Sequence, residues 1–597
     1  MTIRSRVFAR GAALALAAGL VSADALPDGG FSPGVLAALD PSRIAADLCG
    51  SGRDGMNPVR ALLAAAAVAA PLSATGNVPL YPDLTGSAFP LSTRNADARR
   101  WFSQGLLLTY GFNHAGAVAS FRRAQRLDPT CAQCWWGEAM ALGPNINAPM
   151  DGRDRPAALA ALDRAVALMD AASPLERALI EALAARYSRD DAADRAVDRA
   201  GLDAAYADAM LAVAARFPAD DDAAVLAAEA VMDTSPWNYW LPGGKPVGRS
   251  FEAVRLLETV LARNPAQIQA AHLYVHMMES PDPARAEAAA DRLARANTPS
   301  AGHLVHMPSH IWHRRGRYRE SIAVNIAAAR ADEAYIAATG DHGMLRFGYY
   351  PHNVHFIVTS ALMAGDMATA LNEAKRLGSL LDVETSASLG TVQAVDAAPY
   401  QAMAMIAAPD AILAMPAPDA RLPLARVMYH YARAVAFVEK ADRARFDAEL
   451  KAMAALNSHP GARMLAEQAV PLPDLIHLAA NAANGRWAMA SGLYVVAAAH
   501  FRAAAAIEAS ISYMEPSYWH YPVNQSLGAA RLLAGDAAGA SQAFRAALAQ
   551  TPGNGWALYG LSRSEAAAGH KAQATAANAA FRRAWAGDPR WLKLERL

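Results

Sequence analysis

Cysteine is scarce in this chain: 597 residues contain three, Cys49, Cys131 and Cys134. That number excludes a small scaffold framed by disulfides. An excess of charge of one sign is missing too. The 55 basic residues meet 55 acidic ones, and nothing in that balance supports a nucleic-acid partner. Long apolar runs are absent beyond the first residues: "ALLAAAAVAAPL" stops at Pro71, short of the roughly 18 residues that cross a bilayer, so no transmembrane segment is expected. Alternating stretches rich in Val, Ile and Thr are rare, which argues against a sheet-based fold. No Ser/His/Asp pattern, Gly-rich phosphate loop or nucleotide fingerprint stands in a supporting context.

Alanine is plentiful, in amphipathic segments separated by short Gly, Asp or Pro turns, and the chain reads as nearly all helix. The N-terminus differs. A basic start, "TIRSRVFAR", an apolar run, "GAALALAAGLV", and "SADA" with small residues at Ala23 and Ala25 read as a secretory signal at 1–25. Cleavage is expected after Ala25, with a periplasmic or secreted mature protein.

In "WFSQGLLLTYGFNHAGAVASFRRAQRLDP", Trp101, Gly105, Ala117, Phe121, Ala124 and Pro129 fall at the spacing of a tetratricopeptide repeat (TPR), a helix hairpin of about 34 residues, which this stretch resembles. The spacing returns at Ala253, Leu257, Val260 and Pro265, with Pro299 in register, and again at Gly528, Ala540, Phe544, Ala547 and Pro552, before Trp556 and Gly560. Each hairpin buries its apolar face only by stacking on neighbours. The expected fold is therefore all-α: a right-handed α-solenoid of TPR-like helix hairpins with inserted loops. Three insertions interrupt the period: "GPNINAPMDGRDRP", "MDTSPWNYWLPGGKPVG" and "ADEAYIAATGDHGMLRFGYY". Long loops in a solenoid often cover a ligand. The expected organisation is a signal peptide at 1–25, an N-terminal extension or cap at 26–85, TPR-like repeats at 86–150 and irregular hairpins with an aromatic loop at 151–250. His-rich hairpins follow at 251–378 and C-terminal repeats at 379–597.

Nine of the 16 histidines lie between residues 272 and 355, where an even spread would place about two. At about 100° per residue, His303, His306, His310 and His313 share an arc of about 80° on one helix. His272, His276 and Glu279 form a stripe on the preceding hairpin, and His352 and His355 on the following one. These residues occupy matching slots of three consecutive first helices, and the resemblance implies that those slots line the concave groove. Neighbouring helices lie roughly 8–10 Å apart, so imidazoles from adjacent helices can meet on one ion. The expectation is one or two transition-metal ions, with copper favoured and zinc as the alternative. Glu279 would be a ligand or fix an imidazole tautomer. Met277, Met278 and Met307 add soft donors for copper or pack as core. Tyr274, Tyr349, Tyr350 and Trp312 supply aromatic walls or pack the hairpins, and Arg314 and Arg315 attract an anion or are simply solvated. His342, in the third insertion, reads as solvated rather than as a lid ligand.

Cys131 and Cys134 form a C-x-x-C at a helix start. A disulfide is the expected state in an oxidising compartment; a Cu(I) site and plain packing are the other readings. If the metal centre is catalytic, copper would suit a metal-dependent oxidoreductase and zinc a hydrolase. A second class of function stays open: a scaffold whose groove takes a peptide or small molecule without metal. A periplasmic copper storage or delivery protein lies between the two.

The segments "CWWGEAMALGPNINAPMD", "GHLVHMPSHIWHRRGRY" and "PSYWHYPVNQSLGAARLLAGD" resemble a group of exported, His-rich bacterial TPR proteins without an assigned reaction, over the chain from about residue 85 onward. The resemblance implies that the histidine helices and the "WHYP" turn act together, which adds His520 to the candidate metal ligands. Only superhelical curvature could bring His520 to that site.

Overall fold

Phe121 shows how the hairpins close. A Cβ on Gly105 would lie 2.8 Å from its ring and one on Gly137 2.4 Å, so two glycines let a fully buried phenylalanine wedge between helices that nearly touch. Phe544 sits in the same way between Gly528 and Gly560, at 2.9 and 2.2 Å. The repetition of this wedge at both ends of the array is the structural form of the period in the sequence.

The computed structural model describes Leu72 and residues 76–190, 199–241 and 243–597. The signal segment, Cys49 and most of the expected cap lie outside these residues. The described residues belong to one compact unit, Arg53–Leu597. It is an all-α solenoid of TPR-like hairpins. Among the described residues the only ladder is a two-stranded pair, Trp240–Leu241 with Lys245–Pro246, inside the second insertion. No described helix is long and apolar enough to cross a membrane. Side chains start many of the helices: Asn95 accepts from the amides of Asp97 and Ala98, and Asp220, Asp366 and Asn554 cap in the same manner, satisfying donors that have no intrahelical partner.

Seven helices carry or cover the histidines: α1, Ala96–Tyr110; α2, His114–Leu127; α3, Ile268–Met278; α4, Gly302–His306; α5, Pro308–Arg314; α6, Tyr318–Thr339; and α7, Tyr350–Ala364. The expected single helix over 303–313 is a helical path in two pieces. Pro308 has no amide to donate, so the ladder breaks there while Met307 keeps helical angles of φ −53° and ψ −37°. The C-terminal repeats curve back onto α7. Trp556 Nε1 donates to the Leu362 carbonyl at 2.8 Å, and Ala586 N to that of Ala364 at 2.8 Å. A disulfide joins Cys131, the N-cap of its helix, to Cys134.

Candidate metal centre

The histidine slots deliver two trios. His272 and His276 from α3 meet His303 from α4, and His306 from α4 meets His310 from α5 and His352 from α7. Within each trio, the nitrogens that could bind an ion all lie within 4.8 Å of one another. One stripe on α4 and α5 is thus shared out by rotation along the helix. His303 serves the first trio, His306 and His310 the second, and His313 neither.

Amide oxygens, which can only accept, assign the donor nitrogen of two of the six imidazoles. His272 Nδ1 donates to Gln269 Oε1 at 2.9 Å, and the Gln269 amide is oriented by its own donation to Glu229 at 3.2 Å. His306 Nδ1 donates to Asn325 Oδ1 at 2.6 Å, and Asn325 is fixed by donating to the Ser321 carbonyl at 2.7 Å. His310 Nδ1 lies 2.5 Å from Glu279 Oε2, and His276 Nδ1 lies 3.5 Å from Glu279 Oε1. The inner nitrogens face each other: His272 Nε2 is 3.2 Å from His303 Nε2, and His306 Nε2 is 2.8 Å from His310 Nε2, while His303 Nδ1 has no partner among the described residues, which leaves its Nε2 free to carry the hydrogen and donate to His272. Two imidazole lone pairs at that range repel unless a cation or a proton lies between them. Two ligands at 2.0–2.1 Å on one tetrahedral ion stand about 3.4 Å apart, close to the 3.2 Å pair, while the 2.8 Å pair is shorter and has the length of a hydrogen bond.

Burial sharpens this. His272, His276, His303, His306 and His310 are all 6% exposed or less. Desolvation, followed by the neighbouring imidazoles, pushes His272, His303, His306 and His352 well below the ordinary histidine value, which leaves them neutral and able to bind metal. His310 is the exception. Burial opposes its charge, but the Glu279 carboxylate outweighs burial and raises it. Burial likewise opposes ionisation of Glu279, yet His310 and His276 draw its carboxyl down to about 2. A proton shared by His306 and His310 would satisfy that pair alone. It would leave the buried His276 Nε2, which has no partner among the described residues, with no role.

Aromatic rings wall both trios. Phe356 lies 4.8–5.0 Å from His306, His310 and His352. Phe112 lies 4.9 Å from both His272 and His303, Trp237 lies 5.0 Å from His276, and Tyr349 lies 5.1 Å from His303. Phe112 and Trp237 hold left-handed backbone, φ 54° and 59°, at a cost of roughly 1–2 kcal/mol each for a residue with a Cβ. Asn147 ties this wall together, accepting from Trp237 Nε1 at 3.0 Å and donating to Tyr349 OH at 3.1 Å. Tyr349 ends a π-helical turn, Leu345–Tyr349, a local widening that recurs at functional sites.

No protein-family model matches the chain, and no curated protein does. Solved structures that resemble it include the human IFIT1 dimer with m7Gppp-AAAA (11% identity over 81% of this chain and 94% of that one, TM-score 0.30). The TPR domain of P58(IPK) shares 12% identity over 79% and 99%, with a TM-score of 0.22, and yeast Tom70 10% over 80% and 90%, with a TM-score of 0.24. At such scores the fold is read from the chain's own hairpins.

Other sequence-selected residues fall elsewhere. His313 donates or accepts at Ser360 Oγ, 2.9 Å away, with its Nε2 3.6 Å from Glu515. His355 turns away from the second trio, and its Nε2 lies 2.9 Å from that of His520, brought there by the curvature of the solenoid. Met277, Met278 and Met307 pack in the hydrophobic core. Of the four aromatic wall candidates, Tyr349 alone faces a trio. Tyr274 bonds Glu258, Tyr350 bonds Glu333, and Trp312 bonds Asp291 beneath the Arg317 guanidinium, because these rings seal seams between hairpins. Arg315 pairs with Glu287, and Arg314 donates to the Glu279 carbonyl. His342 is exposed. Sequence reading missed Gln269, Asn325, Phe112, Trp237 and Phe356. The one available signal was the aromatic insertion that carries Trp237; at Phe112 the preceding Gly111 is the residue expected at a helix end, and nothing marks the phenylalanine.

Proposed function

We propose that the chain binds one or two transition-metal ions in the two histidine trios, with copper as the first candidate and zinc the next. The carrying observation is that each trio brings the nitrogens of three imidazoles within 4.8 Å of one another, with a close Nε2 to Nε2 approach inside each. His272, His276 and His303 would hold one ion and His306, His310 and His352 the other. Gln269, Asn325 and Glu279 would fix the tautomers, an arrangement typical of imidazole metal sites. All-imidazole donor sets suit copper and zinc alike. Three protein ligands per ion leave a position for an exogenous ligand, the pattern of catalytic rather than purely structural sites. On that ground the reading extends to a metal-dependent enzyme. An extended peptide would need the imidazoles at an open surface, and their burial speaks against that alternative.

We further propose export, with removal of 1–25. The Cys131–Cys134 disulfide supports an oxidising compartment, and N-terminal sequencing of protein recovered from the periplasm tests it. For the metal, elemental mass spectrometry on protein purified without a His-tag or chelator is the deciding measurement. About one or two ions per chain are expected, falling to near zero in the folded His276→Ala/His310→Ala variant. Unchanged metal content in that variant, or none in wild type offered each ion, overturns the reading.

A further inference from the structure

A cavity of about 350 Å³ opens beside the first trio and is lined by Phe112, Asp341, His342, Met344 and Tyr349 among others. The trio itself is closed to solvent. His272 is fully buried, and His276 and His303 are 4% and 6% exposed. Phe112 and Tyr349 belong to the cavity wall, and their ring centroids lie 4.9 and 5.1 Å from that of His303. One aromatic layer therefore stands between the cavity and the imidazoles. A buried metal site needs an entry path.

The third insertion decides what the cavity attracts. Asp341, His342 and Met344 bring a carboxylate, an imidazole and a thioether to its wall from one short stretch. Asp341 accepts from the backbone amides of Gly343 and Arg346, both at 3.2 Å, which leaves its charge uncancelled. Asp151, paired with Arg153, and Asp154 also line the cavity, and no lysine or arginine does. That wall favours a cation over an anion. Imidazole and thioether beside carboxylate suit a transition metal, and His342 is exposed, where a solvated ion can meet it.

The same insertion carries half of the aromatic layer. Asp341 holds the Arg346 amide inside the π-helical turn Leu345–Tyr349, and the turn ends on the Tyr349 ring. Phe112 stacks towards it, with centroids 6.4 Å apart. Its φ of 54° is a conformation that glycine adopts freely and phenylalanine does not, so the ring is kept in this layer against a backbone preference.

We propose that the cavity is the route by which a transition-metal cation reaches the first trio, drawn in by Asp341, His342 and Met344 and admitted past the rings of Phe112 and Tyr349. This rests on the reading of the first trio as a metal site.

The test follows cobalt(II) uptake by stopped-flow absorbance in metal-free full-length protein carrying His306→Ala/His352→Ala, which leaves the first trio to fill. Adding Asp341→Asn/His342→Ala removes the charge and an exposed side chain while an amide oxygen still accepts from both backbone amides. It should slow uptake by roughly tenfold with the number of ions bound at equilibrium unchanged, and should flatten the dependence of the rate on salt. Phe112→Gly should instead speed uptake and chelator-driven release together, by about tenfold each, so that affinity barely moves. A second readout needs no metal. Diethyl pyrocarbonate labelling of metal-free protein with all six imidazoles intact, read by peptide mass spectrometry, should reach His272 and His303 at least tenfold faster in Phe112→Gly and leave His306, His310 and His352 as in wild type. Circular dichroism checks folding, and if Phe112→Gly does not fold the insertion variant decides. Uptake rates unchanged in the folded variants overturn the route, as does equal acceleration of labelling at all five histidines, which marks a loosened fold and not an opened wall. Cobalt that never enters the first trio overturns the metal reading instead, and the labelling then judges the wall at Phe112 by itself.

Discussion

Asn325 does something at His306 that no apolar residue of its size can do. Its amide is locked by the Ser321 carbonyl, so its oxygen accepts from Nδ1 and turns the Nε2 lone pair inward. Asn325→Leu should weaken metal binding at the second trio by roughly 10- to 100-fold and leave the first intact. Glu279→Gln, which alters the partner of both His276 and His310, should weaken both. Competition against a chromophoric chelator measures the two affinities, and equal effects of the two substitutions would refute this division. The histidines themselves were legible because their slots repeat on consecutive helices. Asn325 and Gln269 were not, since an amide on an alanine-rich helix has no pattern until the neighbouring helix shows what it faces.

His114 gives a pH prediction at the same scale. Burial is the main cause of its depression to about 4, against an ordinary value of 6.5. Between those values the unfolded chain binds more protons than the folded one. Stability contributed by keeping this imidazole neutral is therefore complete above about pH 6.5 and is lost as pH falls toward 4. In His114→Phe that contribution is gone, so the drop in thermal midpoint of metal-free protein between pH 7 and pH 5 should be smaller than in wild type. An equal drop would mean that His114 is not buried neutral.

At the scale of the element, the hairpin seam is set by glycine. Alanine in place of a helical glycine gains roughly 1 kcal/mol of helix propensity, while forcing atoms into a packed core costs typically 1–3 kcal/mol. At Gly137 a Cβ would lie 2.4 Å from the buried Phe121 ring, and at Gly201 it would meet nothing within 4 Å. Gly137→Ala should therefore lower the thermal midpoint and Gly201→Ala should raise it slightly. A rise in both would show that the seam relaxes freely. This is the level at which sequence and structure agree most closely, because the seam repeats at a fixed period. Agreement ends at the insertions. The aromatic loop that carries Trp237 and the turn that carries Phe112 follow no period, and their rings reach the trio through left-handed backbone, which spacing does not encode. The break at Pro308 is similar: the residue was visible, but the division of one stripe between two trios depends on where α3 and α7 lie.

At the scale of the whole molecule, curvature brings chain-distant groups together. His355 and His520, 165 residues apart, lie with their Nε2 atoms 2.9 Å from each other, and the backbone amide of His520 donates to Gln401 Oε1 at 3.2 Å. The shared histidine-bearing segments pointed to His520, yet no spacing or motif reveals the superhelical path that decides its neighbour. That neighbour is His355 and not a trio. The two alternatives separate cleanly. If the pair is a clasp between central and C-terminal repeats, His520→Ala leaves a buried His355 nitrogen unpaired, at a cost of roughly 1–3 kcal/mol. The thermal midpoint should then fall by a few degrees while the number of ions bound per chain stays that of wild type. If His520 is instead a ligand of the metal centre, the same substitution removes a bound ion. Thermal scans and elemental analysis on one preparation of the variant decide between them, and loss of an ion would return His520 to the metal site.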